Sequence, residues 1–87
     1  MHAVVFVVDD EQAIRTALVK RLTKQGHTAL GYDSGKALLD ALQQKLPELV
    51  LLDLKMPGIS GLEALKHVRQ IAPSAITIML TAYGTVQ

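Results

Sequence analysis

The chain has no cysteine and no tryptophan among its 87 residues, one phenylalanine and two tyrosines. The missing cysteines exclude a disulfide scaffold, thiol catalysis and a cysteine-ligated zinc. So few aromatics leave little from which to build a base-stacking surface. Charge of one sign is also lacking: nine Lys and Arg against eight Asp and Glu give +1, and the basic residues are scattered. Direct nucleic-acid binding by this segment is therefore not expected. No long hydrophobic run occurs. Ala3 to Val8 is too short for a signal sequence and ends in acid, and nothing approaches a membrane span. A cytoplasmic protein is the expectation.

What is present is a globular composition, 49% hydrophobic and 20% charged, without repeats. The length allows one small domain. Ala3–Val8 is β-branched and aromatic and reads as a strand. It runs into Asp9, Asp10 and Glu11, after which Ile14, Ala17, Leu18 and Leu22 recur at helical spacing. Arg15, Lys20, Arg21 and Lys24 fall mostly on the other face, and Gly26 supplies the stop. Burial of Ile14, Leu18 and Leu22 would stabilise this helix by about 1.5–3 kcal/mol each, as an upper figure.

Thr28–Tyr32 is a more polar strand, suited to an edge. Asp33-Ser34 is an N-cap signal for a second helix carrying Leu38, Ala41, Leu42 and Leu46, which Pro47 ends. Leu49–Leu52 is wholly apolar, as in a strand buried on both faces. Asp53 follows at once, then a Met56-Pro57-Gly58 turn. Ser60 and Glu63 have capping-box spacing and open a third helix with Leu62, Leu65 and Val68 inward. Ala75–Leu80 is a fourth strand, delivering Thr81 and Ala82 to its end.

Strands alternating with helices mean right-handed crossovers and an α/β fold with an open, doubly wound parallel sheet. Several strand orders are compatible with the pattern. Placing the most apolar strands, one and three, at the centre favours 2-1-3-4. The winding then reverses between those two strands and a crevice opens above their C-terminal ends. Asp9 and Asp10 from strand one, Asp53 from strand three and Thr81 from strand four would meet there. Clustered carboxylates repel unless a cation relieves them. Oxygen-only ligands suit a hard ion such as Mg²⁺, and a carboxylate beside it is a competent nucleophile toward a phosphoryl donor. The plainer alternative is that Asp9 and Asp10 only neutralise a helix N-terminus, that Asp53 caps a loop, and that Thr81 is an ordinary loop hydroxyl. Each is plausible singly; none accounts for their joint placement. His2, His27 and His67 share no spacing and read as surface residues. No phosphate-binding G-x-x-x-x-G-K-[ST] loop occurs.

The sequence resembles a response-regulator receiver domain of bacterial two-component signalling from about Val4 to its last residue. The likeness rests on Val7-Val-Asp9-Asp10-Glu11, on Leu51-Leu-Asp53-Leu-Lys-Met-Pro57-Gly58-Ile-Ser-Gly61, and on Leu80-Thr81-Ala82. From Leu51 to Tyr83 it looks most like receivers attached to σ54-type activators. The resemblance implies a flavodoxin-like sheet, and the order 2-1-3-4 is the family's own. It implies that Asp53 is the phospho-acceptor, served by a histidine kinase or phosphotransfer protein. It also implies Mg²⁺ on Asp10, Asp53 and the Lys55 backbone carbonyl, with Asp9 reaching it through water and Thr81 as the switch hydroxyl. Such a domain is regulatory and at most catalyses its own phosphorylation and dephosphorylation.

The family's last βα unit, with its fifth-strand lysine and aromatic switch residue, has no counterpart in residues 1–87. The expectation is thus a single, partial receiver domain with slow phosphotransfer. Its apolar fourth strand would be left at an edge, favouring a homodimer or higher self-association. The competing reading is a non-signalling assembly fragment with an idle acidic pocket. A phosphoaspartate hydrolase of the D-x-D kind is excluded because position 55 is lysine.

Overall fold

The computed structural model describes residues 2–80. In chain order the elements are β1 (Val4–Val8), α1 (Gln12–Lys24), β2 (Thr28–Tyr32), α2 (Gly35–Leu42), β3 (Leu49–Asp53), α3 (Gly61–Ile71) and β4 (Ile76–Leu80). The strands form one parallel sheet in the order β2-β1-β3-β4. The apolar strands β1 and β3 are central and the more polar β2 lies at an edge, as their composition requires.

Local chemistry sets the boundaries. Ser34 Oγ accepts the Ala37 N–H at 3.1 Å and opens α2. Ser60 Oγ accepts the Glu63 N–H at 3.2 Å and opens α3. Gly26 adopts φ +93° just beyond α1, in the left-handed region where a side chain would be strained. Between α2 and β3 the chain passes a buried Pro47.

The main core lies on one sheet face. Phe6, Val8, Val50 and Leu52 point from the central strands onto Leu38 and Leu42 of α2 and Ala64 and Val68 of α3. The other face is covered by α1 over β1 and β2, burying Val5 and Val7.

Four expectations need correction. No residue of α1 is fully buried; Ile14 and Ala17 are exposed while Leu18 and Leu22 are half-buried. Among the described residues this helix lies alone on its side of the sheet, so only part of its apolar stripe meets a partner. Leu62 is 61% exposed; Val68 is buried as expected, and Gly61 and Ala64 join it on the inner side of α3 in place of Leu62. Small residues there let the helix sit close to the loop after β3. Leu46 is 57% exposed because α2 ends at Leu42, before the helical spacing could bring Leu46 to the core. His27 and His67 are half-buried, not surface residues; the His27 Nδ1 accepts the Ala3 N–H at 3.1 Å and ties the turn after α1 to the start of β1.

Candidate functional site

A parallel sheet whose winding reverses between β1 and β3 opens at the C-terminal ends of those strands. Asp53 closes β3 there, and Asp9 and Asp10 follow β1 directly. Carboxylate oxygens of Asp9, Asp10 and Asp53 all lie within 4.8 Å of one another. Asp9 and Asp53 are buried, whereas Asp10 reaches in from an exposed position. Among the described residues this is the one group of three or more potential metal ligands so placed.

Asp53 and Asp9 are each held by a main-chain N–H. Asp53 Oδ1 accepts the Lys55 N–H at 3.2 Å, which fixes one carboxylate oxygen. Asp9 Oδ1 accepts the Glu11 N–H at 2.8 Å. Asp9 thus serves the N-terminus of α1, as the plainer reading had it, and also faces the pocket. Below Asp53, the Gly61 N–H donates to Leu54 O at 3.1 Å, and a Cβ at Gly61 would lie 2.5 Å from the Asp53 carbonyl oxygen. Only glycine lets α3 begin so near the strand end.

Burial raises the Asp53 carboxyl above the usual carboxylate range. The Lys55 amide opposes this, and the charges of Asp9 and Asp10 and a hydrogen bond with Asp10 add to the rise. Negative charge so crowded is relieved when a positive charge joins it. The donor set is oxygen alone, two of the three acids are buried, and Asp53 resists ionisation. That chemistry fits a hard divalent cation of the Mg²⁺ class. Lys55 lies in the loop directly after β3, and Thr81 lies outside the described residues.

Residues 5–87 match the family described as the response regulator receiver domain. The chain belongs to that family. NtrC of Klebsiella pneumoniae, a DNA-binding transcriptional regulator, is 39% identical over 83 residues, covering 95% of this receiver and 18% of NtrC. Sporulation initiation phosphotransferase F of Bacillus subtilis is 37% identical over 84 residues, covering 97% of this receiver and 68% of that protein. The response regulator TrrA of Thermotoga maritima, crystallised with Mg²⁺-BeF, superposes with a TM-score of 0.85 at 38% identity, covering 93% of this receiver and 70% of TrrA. The receiver therefore spans under a fifth of NtrC and about two thirds of the shorter relative.

Sequence reasoning placed the three acids together correctly. It missed Arg15, assigned to the outer face of α1. Its side chain is half-buried and Nη1 donates to the main-chain oxygen of Asp9 at 2.8 Å. The signal available was Gly31: a glycine inside a strand often marks close approach by another group.

Proposed function

We propose that this receiver domain accepts a phosphoryl group on Asp53 from a histidine kinase or phosphotransfer protein. The observation that carries the proposal is the buried Asp53 carboxylate at the end of a central strand, within 4.8 Å of two further carboxylates. One Asp53 oxygen is fixed by the Lys55 amide, leaving the other to attack phosphorus. The bond from phosphorus to the donor's imidazole nitrogen breaks as the acyl phosphate bond forms, and the electron pair stays on the imidazole, which takes up a proton. Asp10, Asp53 and the Lys55 carbonyl would hold Mg²⁺ directly, with Asp9 acting through water. Bound there, Mg²⁺ would offset the negative charge gathered on the acids and the phosphoryl oxygens. Thr81 is the proposed switch hydroxyl. The Mg²⁺-BeF complex of TrrA supports the reading, because beryllium fluoride is a tetrahedral mimic of a phosphoryl group.

The match to NtrC supports a place for the domain in a larger transcription regulator, of the σ54-activator kind by resemblance. Residues 1–87 would then form a single receiver unit, acting in the cytoplasm. No described helix is long and apolar enough to cross a membrane.

A second reading is favoured by one observation. Ile76 and Ile78 of the edge strand β4 are 67% and 48% exposed. An apolar edge strand is a template for another chain, so the domain would self-associate through β4. If the acids are idle, assembly alone would remain. Incubation with acetyl phosphate and Mg²⁺, followed by mapping of the modified residue, separates the readings. Phosphate on Asp53 supports the receiver function, and no incorporation leaves the assembly role.

A further inference from the structure

Gly31 sits inside β2 although its backbone does not require glycine, since the left-handed glycines among the described residues are Gly26 and Gly58. A side chain is absent there for another reason. A Cβ at Gly31 would lie 3.0 Å from Arg15 Cγ, 3.2 Å from Arg15 Cδ and 3.3 Å from Val19 Cγ2. The aliphatic stem of Arg15 lies across the strand at its one bare position. From that seat Nη1 reaches the Asp9 carbonyl oxygen at 2.8 Å.

Asp9 is consequently held at three points. Its N–H donates to Tyr32 O at 3.1 Å, its carboxylate accepts from Glu11 N–H at 2.8 Å, and its carbonyl accepts from Arg15. The carbonyl belongs to the peptide that leads into Asp10. Fixing that plane fixes the direction in which Asp10, an exposed residue, leaves the backbone. A guanidinium keeps its charge at every working pH and makes strong bonds to carbonyl oxygens.

We propose that Arg15 is a positioning residue for the acidic pocket. Seated on Gly31, it orients the Asp9–Asp10 peptide so that the Asp10 carboxylate converges on Asp53. The inference rests on the Mg²⁺-binding role proposed above for its consequence, and on the loop geometry alone for its cause.

The test uses the whole chain with Mg²⁺ as the probe. Arg15→Met keeps the stem and removes the donor; Arg15→Lys restores a cationic donor; Gly31→Ala pushes the stem from its seat. Losing a charged hydrogen bond corresponds to about a tenfold change. Arg15→Met should therefore weaken Mg²⁺ binding, followed by amide shifts of Asp10, by about that factor, and Arg15→Lys should recover most of it. Gly31→Ala should weaken binding several-fold by itself yet add nothing to Arg15→Met. A merely structural role would lower the urea midpoint and leave the affinity of the folded protein unchanged. Affinity within about twofold of the parent in Arg15→Met, or additive losses in the double variant, would overturn the proposal. Should Arg15→Met not fold, the Gly31→Ala affinity decides alone. If the parent itself ignores Mg²⁺, the phosphoryl reading fails separately. Metal-free exchange of the Asp9 and Glu11 amides then decides for Arg15: about tenfold faster in Arg15→Met supports it, and unchanged rates refute it.

Discussion

Replacing Gly61 by alanine should destabilise the domain, although alanine is the better helix former. In an exposed helix interior the exchange would gain about 0.8–1 kcal/mol. Here the new Cβ would lie 2.5 Å from the Asp53 carbonyl oxygen, 2.6 Å from Leu54 Cα and 2.9 Å from Leu54 O. All three are main-chain atoms next to a central strand, so none can move aside by a rotamer change. Overpacking of this kind typically costs about 1–3 kcal/mol. The hydrogen bond from Gly61 N–H to Leu54 O, at 3.1 Å, would lengthen as α3 backs away. The net expectation is a loss of about 1–2 kcal/mol, or a fall in Tm of about 5–15 °C for a domain of this size. Gly35→Ala is the matched control. It also starts a helix, but its Cβ would lie 3.0 Å from Ile59 Cβ, 3.2 Å from Ile59 Cγ2 and 3.3 Å from the Ile59 carbonyl oxygen, a milder overlap than the 2.5–2.9 Å contacts at Gly61. Urea unfolding of both variants and the parent is the assay. A Gly61→Ala midpoint equal to the parent's, or no lower than that of Gly35→Ala, would show that the loop after Asp53 is looser than the contact implies.

Asp53→Asn should abolish phosphate incorporation from acetyl phosphate while Asp9→Asn only weakens it, as mass mapping would show. Because burial raises the Asp53 carboxyl in the folded state, its ionised form opposes folding at neutral pH, and that penalty vanishes as pH falls through the folded pKa. Asp53→Asn should therefore have the higher urea midpoint at pH 7, with the gap closing on acidification; a gap that widens in acid refutes the sign. Mg²⁺ at ten times its Kd should stabilise the parent by about 1.4 kcal/mol and leave Asp53→Asn nearly unmoved, which thermal unfolding would register. Sedimentation across a dilution series should show self-association that Ile76→Lys and Ile78→Lys suppress, and a monomer at every concentration would exclude it.

The legible parts of the fold are those where one residue type has one structural meaning. A wholly apolar run such as Leu49–Leu52 belongs in the middle of a parallel sheet, and Ser34 and Ser60 cap helices wherever a helix follows. An apolar stripe is less informative. Ile14, Ala17, Leu18 and Leu22 mark a face of α1 but not how much of it the sheet will meet. Leu62 failed for a related reason: α3 approaches so closely at Gly61 that small residues, not large ones, mark its inner side. Within the site, the acids were legible because strand ends converge by topology. Arg15 was not, because its role depends on which residue of α1 crosses the bare position of β2.

The topology that builds the pocket also determines what it leaves uncovered. The β2–α2–β3 connection brings Asp53 beside Asp9 and Asp10, and the β1–α1–β2 crossover sets α1 over β1 and β2. On that face the parallel register continues from Leu49 to Ile76 and from Leu51 to Ile78, so the exposed isoleucines extend an apolar surface that α1 does not reach. The register then carries the connection back to the site. Leu80 is the partner of Asp53, and the Leu54 N–H donates to Leu80 O at 3.0 Å. A chain seated on Ile76 and Ile78 would therefore hold the strand that abuts Asp53. Were both proposals to hold, association through β4 and phosphorylation of Asp53 on β3 would bear on adjoining strands, and what steadies β4 would steady the end of the pocket that faces it.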